Sequence, residues 1–368
     1  MIRALLWGLL AAVLAILGLV GEGALAACSV SKEFEINVVV ENDQILIPAS
    51  VNGQKVELLF DTGFPANIMP SAAAGKLGLA MSAARPSEYM TDMDYGSHHG
   101  GLLSSEGSGK ADIPDLQLGD KSMRGVTFQY FRSKDNFGGP DVIAALGSLV
   151  LRDYEIEIDL SRKLITLFHS EGCQGVALVY WTKAFTSVPL AKSNYGAEFP
   201  VKLNGRVMTA VLDSGSAHST ITERAADRVG MSRPANSPVI EAPAPVGTQA
   251  TDLASLVRFS HGYGLAARSP DVLSSNINDL GGQTPITFWR TEFDNLFIGG
   301  EEISPIALRV VRTPTVGHEF GTRTARNLTD YDILLGVDFL KSHRVMISQS
   351  QHRLYFSYLN QGEFGEPQ

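Results

Sequence analysis

Only two cysteines, Cys28 and Cys173, occur in 368 residues. Two isolated cysteines argue against metal binding, and in an oxidising compartment an even count favours a disulfide. Basic charge is also scarce: 30 Lys and Arg stand against 39 Asp and Glu, a formal net charge of −9. Phosphate backbones need a basic footprint, so nucleic acid is excluded as a partner. No run of like charge marks an acidic tail or a basic arm. His-Glu-x-x-His, Gly-x-Ser-x-Gly and a glycine-rich phosphate loop are all missing. Those absences remove the commonest zinc-peptidase, serine-hydrolase and nucleotide-binding readings.

The longest apolar stretch lies at the N-terminus. Arg3 precedes an uncharged apolar run over residues 4–20, and Ala24-Leu25-Ala26 places small residues at signal-peptidase spacing. Residues 1–27 are therefore expected to be a signal peptide. Seventeen residues fall short of the ~20 of a spanning helix, and an uncleaved anchor remains the alternative. A third route is lipidation of Cys28, because Leu25-Ala26-Ala27-Cys28 fits a bacterial lipobox. All three put the body of the protein outside the cytoplasm, periplasmic or secreted, with membrane contact only through the anchor or lipid. Lipid and disulfide compete for Cys28. A Cys28–Cys173 bridge is favoured, tying the start of one half to its end and closing a loop for a few kcal/mol on a chain-entropy estimate.

What is present is a duplication. Asp61-Thr62-Gly63 returns 152 residues later as Asp213-Ser214-Gly215. Asn52-Gly53 and Asn204-Gly205 each sit nine residues ahead of the aspartate, and an apolar run leads into it both times. Seventeen residues past each aspartate a glycine stands between apolar residues, Leu77-Gly78-Leu79 and Val229-Gly230-Met231. Further on, residues 143–147 match residues 333–336, ending in Leu146-Gly147 and Leu335-Gly336. One Asp-Thr-Gly is a chance pattern; two in register carry one carboxylate each in the same local frame.

The chain reads as all-β with short helices, and 36 glycines with 17 prolines imply many turns. Strands are expected at 34–40, 45–48, 113–118, 126–131, 142–146, 154–159 and 164–168, with Asn52-Gly53 as a hairpin turn. In the second half they are expected at 199–203 and 207–212. Short helices are expected at 70–77 and 222–229, the latter starting at Thr222-Glu223. Residues 95–109 and 232–252 read as loops. The boundaries are 28–170 for the first lobe, 171–186 for a linker, 187–358 for the second lobe and 359–368 for a tail.

This order of features resembles the retropepsin family of aspartic proteases, and two units in one exported chain resemble bacterial retropepsin-like aspartyl proteases. The likeness covers roughly residues 33–170 and 187–358. It implies two β-barrel-like lobes facing each other about a pseudo-twofold axis, a bilobal arrangement within a monomer. It further implies Asp61 and Asp213 as a catalytic pair, with Thr62, Gly63, Ser214 and Gly215 supporting the loops. The substrate would be an extended peptide or unfolded protein, and no metal or organic cofactor is needed. An arrangement in which each lobe pairs with its twin in another chain stays open.

Leu146, Gly147, Leu335 and Gly336 are expected to pack beneath the aspartate loops, not to touch substrate. His218 is expected to be a polar loop residue, and His98-His99 a solvated pair lacking a third ligand. Asn327-Leu328-Thr329 fits a glycosylation acceptor by pattern alone. Flaps are sought at residues 95–101 and, in the second half, 262–264 or 281–282. One departure stands out: Phe64 and Pro65 follow Gly63, where the family pattern has a small residue such as Ser216. That ring either packs as a specificity element or distorts the loop, leaving a peptide-binding module without turnover as the alternative.

Overall fold

The structure is a computed structural model, and it describes residues 28–63, 66–83, 109–131, 142–191, 197–233, 240–242, 286–311, 331–360 and 364. Residues 1–27, Phe64-Pro65, His98-His99, the three flap segments and Asn327-Leu328-Thr329 lie outside these residues. The first half contributes β1 (Ser29–Asn37), β2 (Val39–Glu41), β3 (Gln44–Val51), β4 (Gln54–Asp61), β5 (Ile68–Pro70) and β6 (Ala80–Ala83). It continues with β7 (Gly109–Leu118), β8 (Lys121–Phe131), β9 (Val142–Gly147), β10 (Glu155–Asp159) and β11 (Leu164–Glu171). The second half opens with β12 (Thr186–Pro189), β13 (Ala197–Leu203), β14 (Arg206–Leu212), β15 (Thr220–Thr222), β16 (Ile240–Ala242) and β17 (Ile286–Phe293). It ends with β18 (Leu296–Ile298), β19 (Glu301–Ile303), β20 (Ile306–Val311), β21 (Ile333–Leu335), β22 (His343–Ser348) and β23 (Arg353–Tyr358). Among the described residues four short helices interrupt them: α1 (Ser71–Lys76), α2 (Ser148–Leu151), α3 (Glu223–Arg228) and α4 (Val337–Ser342).

Turn chemistry sets the first register in each half. Asn52 and Gly53 have φ of 50° and 77°, and Asn204 and Gly205 have 45° and 78°. Positive φ at both central residues is the twist a two-residue hairpin needs, and Asn-Gly tolerates it best. The turns pair Val51 with Gln54 and Leu203 with Arg206, so β3–β4 and β13–β14 are equivalent hairpins. Both following helices close alike: Leu79 N–H donates to Ala74 O at 3.0 Å, and Met231 N–H to Ala226 O at 3.0 Å. These are bonds across a glycine cap, which explains Gly78 and Gly230. Thr222 caps α3, its hydroxyl accepting from Ala225 N–H at 3.2 Å.

Three sheets result. The first half forms an eight-stranded sheet in the order β2-β3-β4-β9-β5-β8-β7-β6, and a β3–β7 pairing closes six of these strands into a barrel. The second forms a nine-stranded sheet, β16-β17-β20-β15-β21-β14-β13-β18-β19. Here the counterpart of β7 is broken at Asp294-Asn295 into β17 and β18, and β18 alone returns to β13. The third sheet is shared, β1-β11-β10-β22-β23-β12, three strands from each half meeting where β10 runs antiparallel to β22.

The inner face of the shared sheet (Ile156, Ile158, Ile165, Val345, Ile347, Phe356) joins one continuous core with both lobes. Its outer face is covered by residues 172–185, where Phe168, Cys173, Leu178, Met346 and Tyr355 form a smaller cluster. Arg344 anchors that cover: its Nε donates to Glu157 Oε1 at 2.8 Å, and its guanidinium stacks 4.5 Å from the Trp181 ring. A disulfide joins Cys28 to Cys173 across 145 residues.

Candidate active site

Asp61 ends β4 and Asp213 follows β14, so each emerges from an apolar strand flanked by a parallel neighbour. Asp61 lies opposite Gly147 on β9, and Leu212 opposite Leu335 on β21. The two loops meet, and both aspartates are 0% exposed.

Four reciprocal hydrogen bonds lock the meeting point. Thr62 N–H donates to Ser214 Oγ at 2.9 Å, and Ser214 N–H to Thr62 Oγ1 at 3.0 Å. Each hydroxyl then donates to the opposite strand end: Thr62 Oγ1 to Leu212 O at 3.2 Å, Ser214 Oγ to Phe60 O at 2.9 Å. Every partner is buried, so loss of either hydroxyl leaves orphaned backbone groups.

The glycines explain why the carboxyl groups can converge. A Cβ on Gly63 would stand 2.5 Å from Asp213 Oδ1, and one on Gly215 2.6 Å from Asp61 Cγ. Each carboxyl group therefore packs directly against the other loop's glycine, and any side chain there would separate them. Within its own loop each aspartate accepts from the glycine two residues on: Gly63 N–H to Asp61 Oδ1 at 3.1 Å, Gly215 N–H to Asp213 Oδ1 at 2.8 Å. Asp213 also accepts from Ser216 Oγ at 3.0 Å. The equivalent residue after Gly63 is Phe64, whose side chain has no donor.

Beneath the loops lies a second layer that the tripeptides alone did not reveal. Asn67 and Ser219 each stand six residues past their aspartate. Asn67 Oδ1 accepts from Gly147 N–H at 2.9 Å, and Ser219 Oγ from Gly336 N–H at 3.0 Å. Asp338 fixes Ser219, accepting from its N–H at 2.7 Å and its hydroxyl at 2.6 Å. Leu146 and Leu335 are buried in the core. A Cβ on Gly336 would meet Ser216 O at 2.6 Å, so that glycine lies directly under the second loop. The signal for Asn67 and Ser219 was in the register: a hydrogen-bonding side chain at the same offset in both copies.

Tyr331, also unanticipated, feels the charge of Asp213. Burial, with the Asp213 charge adding to it, pushes its phenol well above the usual value. His218 is half-buried. Burial, reinforced by Arg309 and Arg290, holds its imidazole below the ordinary value against the opposing pull of Asp338 and Asp43. No helix among the described residues is long and apolar enough to cross a membrane.

No protein-family model matches the chain, and no curated protein does. Among solved structures the chain is similar to a retropepsin-like aspartic protease from Rickettsia conorii, at 18% identity and a TM-score of 0.26, over 39% of this chain and 95% of that one. It is also similar to the aspartic proteinase from Irpex lacteus, at 10% identity and a TM-score of 0.45, over 90% and 98%.

Proposed function

We propose that the protein is an extracytoplasmic aspartic endopeptidase in which Asp61 and Asp213 act as one catalytic pair. The observation that carries this is the packing of each carboxyl group against the other loop's glycine, held by the Thr62–Ser214 lock. Carboxyl groups held this close share one proton, because two adjacent negative charges are costly. The ionised member takes a proton from a water lying between them, and the water attacks the peptide carbonyl. The protonated member donates to the carbonyl oxygen, so a tetrahedral diol forms without a covalent enzyme intermediate. Substrate lies extended along the groove between the lobes, bonded through its backbone as an added strand. The chemistry needs no metal or organic cofactor. The disulfide supports a non-cytoplasmic setting, and the N-terminal apolar segment supports periplasmic delivery or secretion.

Phe64 favours a second reading, a binding module that retains peptide affinity without turnover. Incubating the purified protein with an unstructured protein from pH 3 to 8 separates the two. Cleavage abolished by a statine-type inhibitor and by Asp61→Asn or Asp213→Asn supports the endopeptidase. Peptide binding with no cleavage at any pH leaves the binding module.

A further inference from the structure

The cover over the outer face of the shared sheet differs in composition from the rest of the chain. Residues 172–185 carry one charged side chain, Lys183, in a protein of net charge −9. Eight large hydrophobic side chains are exposed among the described residues. Three of them, Val176, Tyr180 and Phe185, stand on this segment at 47%, 64% and 36% exposure. A fourth, Val30, shares the face, because it stands directly opposite Ser170 in the β1–β11 ladder. The Ser170 hydroxyl donates to Glu155 on β10 at 2.6 Å, and Glu155 pairs with Phe168 of the outer cluster. Half of the exposed large hydrophobic residues therefore gather on one side of one sheet. Such a gathering marks a surface that meets something other than water.

The patch is held in shape from beneath. Gln351 Nε2 donates to Cys173 O at 2.7 Å and to Val176 O at 2.9 Å, pinning the turn that presents Val176. Tyr180 donates its hydroxyl to Glu157 Oε2 at 2.6 Å, and Trp181 Nε1 donates to Ser357 Oγ at 2.9 Å. The two rings meet edge to face, with centroids 5.5 Å apart. With its polar tip turned to the sheet, what Tyr180 exposes is its apolar ring. Glu157 and Asp159 are buried against Arg344, so the acids under the cover put no charge at its surface.

We propose that this face, residues 172–185 with Val30, rests on a lipid bilayer, the one that holds the N-terminal apolar segment as an anchor. The link between segment and face is covalent. Residues 4–20 are the uncharged apolar run, and Cys28, eight residues beyond its end, is bonded to Cys173 at the root of the cover. Eight extended residues span at most roughly 30 Å, so a bilayer holding the run lies within that reach of the patch. Tyrosine and tryptophan rings favour the headgroup level of a membrane, and Lys183 suits the phosphates there. A partner protein would have no such tie to the segment. Fixed by the anchor and by the patch together, the body takes one orientation on the membrane instead of swinging on a tether. The surface is independent of the endopeptidase reading, and its test involves no turnover.

The test uses the full chain carrying Trp7→Phe, inserted in phosphatidylcholine–phosphatidylglycerol vesicles. Two of the three tryptophans then remain: Trp181 on the cover and Trp289, 2% exposed in the second lobe. Lipid brominated high on its acyl chains should quench the Trp181 emission and spare that of Trp289. Adding Trp181→Phe should abolish the quenching. Val30→Asp with Val176→Asp, both at exposed positions, should cut it about twofold or more while the urea midpoint stays unchanged. Emission indifferent to brominated lipid, or quenching that survives the two aspartates, overturns the membrane surface. A full chain that does not associate with the vesicles overturns it as well. Self-association in sedimentation that the two aspartates abolish, with no quenching on vesicles, overturns it in favour of a second copy of the chain.

Discussion

The two lobes agree where they touch and differ where they spread. At the junction the correspondence is nearly atom for atom: Thr62 with Ser214, Gly63 with Gly215, Asn67 with Ser219, Gly147 with Gly336. Away from it, the first lobe closes its strands into a barrel through β3–β7, while the second breaks the matching strand at Asp294-Asn295. Cross-strand pairs further out differ as well: Lys110 faces Gln129 between β7 and β8, whereas Arg290 faces Arg309 between β17 and β20. Two matching halves must keep alike whatever they build jointly. Whatever each builds alone is free to drift, and there the specificity of a two-sided groove can arise.

Breaking the shared part should cost most. Asp61→Asn and Asp213→Asn should each lower kcat/KM on the order of 10²–10⁴-fold, equally on the two sides, measured with one fluorogenic peptide. The shared sheet should be the next most sensitive. Glu157 and Asp159 are 1% and 2% exposed beside Arg344. Arg344→Ala leaves buried carboxylates without their counter-ion and should lower unfolding free energy by about 3–5 kcal/mol in urea titrations. Thr62→Ala and Ser214→Ala should each cost about 1–3 kcal/mol for the orphaned buried groups, with a parallel loss of turnover. Unequal costs would show that one loop supports the other more than it is supported.

The smallest effect sharpens the difference between the lobes. His218 has a lowered value in the fold, where its counterpart is Ala66. The unfolded chain then binds a proton that the folded one resists. Stability is complete above the ordinary histidine value of about 6.5 and falls as pH drops below it. Comparing urea midpoints at pH 7 and pH 5.5, the wild type should lose more stability than His218→Gln.

Local chemistry made the shared part legible in the sequence. Asn-Gly turns, an apolar strand running into Asp-[Thr/Ser]-Gly, and a glycine capping a short helix are all decided within ten or so residues. Thr222 as the cap of α3 was readable for the same reason. The strand expected over residues 164–168 runs on to Glu171, because β1 supplies a partner as far as Ser29. That extension depends on a segment more than a hundred residues away. The meeting of Arg290 and Arg309 was equally invisible, since register between β17 and β20 is set by the ladder and not by periodicity. Tyr331 carried no signal at all, standing apart from any repeated feature. Asn67 and Ser219 were within reach but differ chemically, and only the shared offset links them.

The account depends on one carboxyl group from each half serving the same bond. The most direct measurement compares turnover of a single peptide by Asp61→Asn, Asp213→Asn and the double variant, with sizing of each protein. An intrachain pair predicts monomers in which either single change is as damaging as both together. Substantial wild-type activity surviving in either single variant, lost only when both aspartates are replaced, would contradict it.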